Sequence, residues 1–387
     1  MWATLIFDAV TAMFVGMAIA GLINLRWVRR LPSLKELNAA GGDSAVEKPI
    51  RCSVVIAARD EAARIEKTLR HLLAQRGVEF AIIVVDDRSA DGTGDIVRRI
   101  AKDDPRIQVK RVDVLPEGWL GKCHACHVGA SAATGDWILF TDADCWLKPD
   151  VIARAVCVAE RDGADHVTMA AGTVLESMAA RAWYLLFLTG LADWMAKVNR
   201  DRPKSHIGIG AFNLVRASAY RQCGGYEALR LTVVDDIKLG LLLRRAGKRS
   251  RAFLGSDDVE CHWGKTVGNM VKIMEKNYFA ALDYRLSHVL AFSVAVILVF
   301  TILVLGLISG TAAGYVAVGS LLAPMVPAVI LARRIGWSWP CAVLLPFMFP
   351  VFVYAVLNST FVTLRNGGIR WRETFYPLAT LRAGNVQ

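Results

Sequence analysis

The chain has 387 residues, of which 54% are hydrophobic, with a mean hydropathy of +0.37 and a formal net charge of +11. So apolar a composition excludes an ordinary soluble domain and a disordered chain, while 21% charged residues exclude a purely intramembrane bundle. The basic residues are scattered and many flank apolar runs, where they orient a chain at anionic headgroups, so the charge predicts a membrane and no nucleic-acid partner.

The first element is Leu5–Leu25, apolar apart from Asp8, Thr11 and Asn24 and long enough to cross a bilayer. No basic residue precedes it, and Arg26, Arg29 and Arg30 follow, the reverse of a cleavable signal peptide. Residues 1–30 are therefore expected to be an uncleaved anchor with its N-terminus outside, placing the next domain in the cytoplasm. A polar linker, 31–50, contains Gly41-Gly42-Asp43-Ser44. From 51 to 285 strand-like and helix-like segments alternate, the rhythm of one α/β domain with a mostly parallel sheet, its donor half ending near Asp144.

Within that domain, two apolar strands end in acid pairs. Ala81–Val85 runs into Asp86-Asp87, followed by Ser89, Asp91, Gly92 and Thr93. Asp91 or Ser89 is enough to cap the helix through Ile96 and Ile100, which leaves Asp86 and Asp87 unexplained. The run Trp137–Thr141 ends in Asp142-Ala143-Asp144. Carboxylates at the carboxyl edge of an open sheet offer oxygen donors to a hard divalent cation, whose usual other ligand is phosphate. A third pair, Asp235-Asp236, opens a helix read from Ile237, Leu239 and Leu241–Leu243, where acids also favour the helix dipole. Any one pair is satisfied by a turn or a cap; the three together predict a cluster that does chemistry.

Other motifs are weaker. Cys123-His124-Ala125-Cys126-His127 matches the C-x-x-C-H attachment site of c-type haem, but a cytoplasmic domain is the wrong compartment, and no second Cys/His pair stands at zinc-finger spacing. Gly208-Ile-Gly210-Ala-Phe-Asn213 lacks the last glycine of G-x-G-x-x-G, which disfavours a dinucleotide site. His262, before Trp263, reads as a structural histidine or as a further metal or diphosphate contact. Met178–Val198 is too charged for a comfortable span and reads as a core helix or an interfacial helix, as does Val267–Tyr284. Residues 286–364 hold Val289–Ser309 and Ala312–Ala332, a hairpin joined by Gly310 and Thr311, and the proline-bearing run Cys341–Val362. Arg333 and Arg334 before that run, and Arg365, Arg370 and Arg372 in the basic tail 365–387, all ask for the cytoplasmic side, which one straight crossing cannot give.

Four motifs in this order resemble those of the inverting family 2 glycosyltransferases with the GT-A fold, over about Arg51 to Tyr284. They are Ala57-Ala58-Arg59-Asp60-Glu61, similar to the family's P-A-R-N-E; Asp86-Asp87 with the following D-G-T; Gly121-Lys122 with Ala125 and Gly129; and the D-x-D. Val234-Asp235-Asp236-Ile237-Lys238-Leu239-Gly240, similar to E-D-x-x-L-G, completes the series. The run Gly118-Trp119-Leu120-Gly121-Lys122 is similar to membrane-bound enzymes that glycosylate lipids, the hopanoid-associated and carotenoid glycosyltransferases and ceramide glucosyltransferase.

The resemblance implies a Rossmann-like catalytic domain flanked by transmembrane helices, in a multi-pass protein of the inner membrane. It implies a nucleotide-sugar donor, a uridine diphosphate sugar by family expectation, and a lipid acceptor. It implies Mg²⁺ or Mn²⁺ held chiefly by Asp144, with Asp142 near the ribose or metal. Asp86, Asp87, Arg59 and Glu61 would line the base and ribose pocket, Lys122 would support the base or phosphate side, and the Gly210 loop would lie under the sugar. Asp236 would be the general base, with Asp235 supporting it. The Q-x-x-R-W of processive synthases is missing, since the corresponding stretch reads Lys272-Ile-Met-Glu-Lys-Asn277-Tyr-Phe. A processive synthase, an inert nucleotide-sugar-binding membrane protein and a small transporter remain the alternatives, the last poor in the buried ionisable residues a transport path needs.

Overall fold

In this computed structural model, which describes residues 2–39, 49–262 and 264–386, the apolar runs of the middle of the chain become strands. Gly41–Ser44 of the expected linker, and Trp263, lie outside the described residues. The strands are β1 (Arg29–Arg30), β2 (Arg51–Ala58), β3 (Glu79–Asp87), β4 (Ile107–Val112), β5 (Trp137–Phe140), β6 (Cys145–Leu147), β7 (His166–Thr173), β8 (Asn213–Arg216) and β9 (Ser250–Cys261). They form one nine-stranded sheet in the order β1-β9-β7-β8-β5-β2-β3-β4, with β6 paired to the end of β9. Strands β5, β2, β3 and β4 are parallel, as are β7, β9 and β1, and β8 runs antiparallel between the two sets. This is the mostly parallel α/β sheet that the sequence predicts.

Parallel strands covered on both faces need unbroken apolar sequence, and Val54–Ile56 and Ile82–Val85 are at most 1% exposed. Register then fixes the position of the acids. Ala58 stands opposite Asp86, and Val55 opposite Phe140, two residues before Asp142. The carboxyl ends of β2, β3 and β5 are thus side by side.

The chain divides into two compact units. One, Val28–Val174 with Lys197–Trp263 and Ala383–Gln387, holds the sheet; the other is Met1–Trp27 with Leu175–Ala196 and Gly264–Arg382. Among the described residues, the second unit contains four helices long and apolar enough to cross a membrane, Trp2–Asn24, Leu286–Ile308, Ala312–Arg334 and Leu345–Arg365. The third of these breaks at 321–324 into Ala312–Ser320 and Met325–Arg334, with Pro324 at the break. The expected hairpin is tight, because a Cβ built on Gly306 would stand 3.0 Å from the Gly314 carbonyl oxygen. Phe7, Val10 and Phe14 of the first helix pack on Leu303 and Ala317 of the hairpin.

The contacts inside this unit resolve the conflict of charges. The Arg334 guanidinium donates to the Leu25 carbonyl at 2.5 Å, so the first and third helices end together. The last helix runs antiparallel to Leu286–Ile308: the Phe349 ring lies 6.4 Å from Phe300, the Phe352 ring packs edge-on 5.8 Å from Phe292, and the Ser359 hydroxyl accepts from the Phe279 amide at 3.0 Å. Arg334 and Arg365 therefore lie at the end where Leu286 begins. Phe349, near the start of the last helix, already lies at the level of Phe300, so residues 335–344 lead the chain back along the unit before that helix begins, and the two basic clusters share one end.

The helix Met178–Asn199 also groups with these apolar helices as far as Ala196. Trp183 packs 6.4 Å from Phe352, and Asp193 accepts from Asn24 at 2.8 Å, which gives two polar residues of apolar helices a partner.

Candidate active site

Each predicted acid sits where a strand or helix ends. Asp86 and Asp87 close β3 with side chains 0% and 5% exposed. Asp86 accepts from Arg111 of β4 and from the Ser89 amide, at 2.8 and 3.1 Å. Asp87 is gripped by Arg88 at 2.8 and 3.0 Å, and its carboxylate lies so near Gly121 that a Cβ there would collide with it. Gly121 starts the helix Gly121–Ser131, whose N-terminal dipole favours an anion. The loop after β2 crosses to the same edge: the Glu61 amide donates to Thr93 Oγ1 at 2.8 Å, and the Ala62 amide to Asp91 at 2.9 Å. Asp91 also accepts from the Thr93 amide at 3.0 Å, although Gly92, in the left-handed conformation, is the N-cap residue of that helix. Arg59 and Glu61 are mostly buried in this loop, Arg59 lying 3.9 Å from Asp60.

Lys122, the second residue of the helix Gly121–Ser131, ties the strand-end acids to the third pair. Its ammonium is 2.8 Å from Asp142 and 3.9 Å from Asp235. Burial opposes its charge, but Asp142, Asp235 and Asp236 outweigh burial and hold the lysine well above its ordinary range. Asp235 and Asp236 open the helix Asp235–Arg245 as expected. Asp235 is 3% exposed and accepts from the Tyr226 hydroxyl at 2.9 Å. Both oxygens of Asp236 accept backbone amides at 2.8 Å, one from Gly210 and one from Ile237. Burial, then the neighbouring charge of Asp235, raises the Asp236 carboxyl to about 6.

Glycine is required beneath this cluster. A Cβ at Gly210 would stand 2.8 Å from Asp142 Oδ2 and 3.4 Å from Lys122 Nζ, and one at Gly208 would collide with the Asp236 carbonyl. Lys122, Asp142, Gly210, Tyr226 and Asn213 line one small recess.

Asp144 lies one residue beyond the cluster. Its carboxylate meets the thiols of Cys145 and Cys261 at 3.7 and 3.9 Å, and no ammonium or guanidinium lies within ion-pair distance among the described residues. Burial, then the charge of Asp142, pushes its carboxyl up. A half-buried carboxylate with raised proton affinity and no paired cation fits a ligand for a divalent ion. His262 binds Glu260 at 2.6 Å and packs on Trp146 at 3.6 Å, while its amide donates to the Asp144 carbonyl at 3.1 Å. Cys123 and Cys126 face inward, the Cys123 thiol donating to the Thr232 carbonyl at 3.3 Å, whereas His124 and His127 pack on Trp119.

The structure thus brings Lys122, Asp142, Gly210, Asp235 and Asp236 together, with Asp144 adjoining. Arg111, Tyr226, Cys145 and Cys261 are the site neighbours that sequence reasoning missed. Arg111, Tyr226 and Cys261 carry no local signal, because sheet register and a turn supply them; Cys145 directly follows the D-x-D, but only the register that sets Cys261 opposite it marks it out.

Residues 53–224 match the family model described as glycosyl transferase family 2. Among curated proteins, the succinoglycan biosynthesis protein ExoO of Rhizobium meliloti is 35% identical over 31% of this chain and 33% of its own length. The 4,4'-diaponeurosporenoate glycosyltransferase of Staphylococcus haemolyticus is 35% identical over 27% of each chain. The beta-monoglucosyldiacylglycerol synthase of Trichormus variabilis is 26% identical over 54% of this chain and 42% of its own length. The chain therefore spans between about a quarter and somewhat under half of the length of these curated relatives. Among solved structures, a mannosyltransferase of Pyrobaculum calidifontis in complex with GDP-Man and Mn²⁺ superposes with a TM-score of 0.55 at 18% identity, over 94% of this chain and 99% of that one. At that identity the likeness establishes the GT-A fold.

Proposed function

We propose, on the premise that residues 53–224 are a glycosyl transferase family 2 domain, that this protein transfers a sugar from a nucleotide-sugar donor, a uridine diphosphate sugar, to a membrane lipid by a single inverting displacement. The observation that carries the reading is the cluster that joins Asp142 and Lys122 of that domain to Asp235 and Asp236, at the start of the helix that follows it, in a chain whose described residues also hold four membrane-length helices. Two relatives bear names of lipid and carotenoid glycosylation, which supports a lipid acceptor.

The residues divide the work. Asp144, lacking an ion-pair partner, and Asp142 would hold a divalent cation, Mg²⁺ or Mn²⁺, consistent with the Mn²⁺ of the mannosyltransferase. When bound, the cation neutralises charge building on the leaving diphosphate. Lys122 adds a fixed positive charge beside Asp142. Asp86, Asp87, Arg59 and Glu61 form the wall for the base and ribose. Asp236 takes the proton from the acceptor hydroxyl. Its two amide contacts fix its orientation, and a carboxyl raised to about 6 is basic enough to accept a proton yet ionised at neutral pH. Asp235, held by Tyr226, keeps that proton affinity high. By the charge of Arg26, Arg29 and Arg30 the catalytic unit is cytoplasmic.

The test is sugar transfer from a uridine diphosphate sugar to a bacterial lipid extract, followed by mass, with donor affinity measured with and without chelator. A hexose or N-acetylhexosamine increment on a lipid, lost with chelator and with Asp144→Asn, is expected. Equal donor affinity with and without chelator removes the metal from the mechanism, and a growing polymer in place of a single increment identifies a processive synthase.

A further inference from the structure

The pairing of β6 with β9 does more than extend the sheet. The strands are antiparallel, with Cys145 opposite Cys261. The His262 amide donates to the Asp144 carbonyl at 3.1 Å, and the Lys148 amide to the Asp258 carbonyl at 2.9 Å. Those bonds make 144 with 262 and 148 with 258 the hydrogen-bonded pairs. Alternation along the ladder then makes Cys145 and Cys261 a non-hydrogen-bonded pair, the kind whose Cα atoms approach to about 4.5 Å and whose side chains lie closest. Both thiols turn to the same carboxylate oxygen, Asp144 Oδ1, and the three donor atoms lie within 4.8 Å of one another.

Two sulfurs and one oxygen at that spacing suit a particular class of ion. Zinc binds thiolate at about 2.3 Å and carboxylate at about 2.0–2.2 Å, so tetrahedral ligands stand roughly 3.5–3.8 Å apart, a small contraction from this arrangement. Mg²⁺ and Mn²⁺ favour oxygen sets, and two buried sulfurs are a poor match for them. No other group of three such side chains with this spacing occurs among the described residues.

We propose that Asp144, Cys145 and Cys261 form a site for a thiophilic divalent cation, Zn²⁺ or its analogue Cd²⁺, with solvent as the fourth ligand. Binding forms two metal–sulfur bonds and one metal–oxygen bond and releases two thiol protons to solvent, with no change of oxidation state. Because Asp144 is shared, an ion bound here takes its carboxylate away from the cation that would neutralise the donor diphosphate and so inhibits transfer. That consequence rests on the role given to Asp144 above; the binding itself does not.

The test measures binding directly. The full chain, purified in detergent and reduced, is dialysed against Zn²⁺ alone, and the bound metal is counted and examined by X-ray absorption. One retained ion with two sulfur neighbours is expected, its affinity falling roughly a hundredfold or more in Cys145→Ser/Cys261→Ser and staying unchanged in Cys123→Ser/Cys126→Ser. Should the first double variant fail to fold, the wild-type spectrum decides alone. Retention of no zinc, a shell of oxygen and nitrogen only, or undiminished binding by the folded Cys145→Ser/Cys261→Ser protein overturns the proposal. So does a thiol assay in denaturant that finds the reduced chain reoxidising Cys145 to Cys261 in place of binding metal. Failure of sugar transfer leaves all these readouts intact, so the two proposals fail separately.

Discussion

Replacing Asp236 with Asn separates a catalytic base from a helix cap. Both carboxylate oxygens accept an amide at 2.8 Å, from Gly210 and Ile237. Asparagine keeps one acceptor and turns an NH₂ toward the other N–H, leaving one buried amide without a partner, at a cost of about 1–3 kcal/mol. Domains of this size are stable by about 5–15 kcal/mol, so the variant stays mostly folded. Loss of a positioned base costs a factor on the order of a hundred or more in rate, about 2.7 kcal/mol of barrier at 1.36 kcal/mol per tenfold. The expected result is lipid glycosylation slowed at least a hundredfold, with donor affinity nearly unchanged and a slightly lower unfolding temperature. The assay is single-turnover transfer to lipid extract by purified Asp236→Asn, beside donor titration and thermal unfolding of the same sample. If transfer stays within a few-fold of wild type while the unfolding temperature drops, Asp236 is a structural anchor of the Gly210 loop and the base is elsewhere.

The same carboxyl predicts a pH profile: a base with its pKa raised to about 6 is ionised at neutral pH, so kcat/KM is flat above about 7 and falls about tenfold per unit below 6. Lys122 lowers that pKa, so in Lys122→Gln the acid limb of the residual activity moves to higher pH; a limb that stays put or moves lower contradicts the ion cluster. Gly210→Ala puts a methyl 2.8 Å from Asp142 Oδ2 and is expected to weaken donor binding and lower thermal stability, an overpacking cost of about 1–3 kcal/mol, while Gly16→Ala, with nothing within 4 Å, leaves both unchanged. Because Leu25, Arg334 and Arg365 share one end of their unit, a reporter active only outside the cytoplasm should be silent when fused after Ala383 and active when inserted at Gly310; activity at both positions contradicts the shared end.

What was legible in the sequence is what neighbouring residues encode. A run such as Ala81–Val85 followed at once by two acids states both a buried parallel strand and its carboxyl end, and the chain must place those acids at the sheet edge. The first turn of the helix Asp235–Arg245 is equally local, and its acids were found by position alone. Tyr226 on Asp235, Arg111 on Asp86 and Cys261 beside Cys145 depend instead on which strand or turn lies next to which, and side-chain periodicity carries no information about a partner 116 residues away. The charges of the helix Met178–Asn199 show the same limit. Read alone, Asp193 argues against a place among membrane-length helices; it becomes compatible once paired, as where Asn24, at the end of the first such helix, donates to it at 2.8 Å. A polar residue in an apolar setting is tolerated once it is paired. The proline-bearing last helix follows the same logic, since its flanking arginines contradict each other only if the crossing is straight, and its antiparallel packing on Leu286–Ile308 is a tertiary fact.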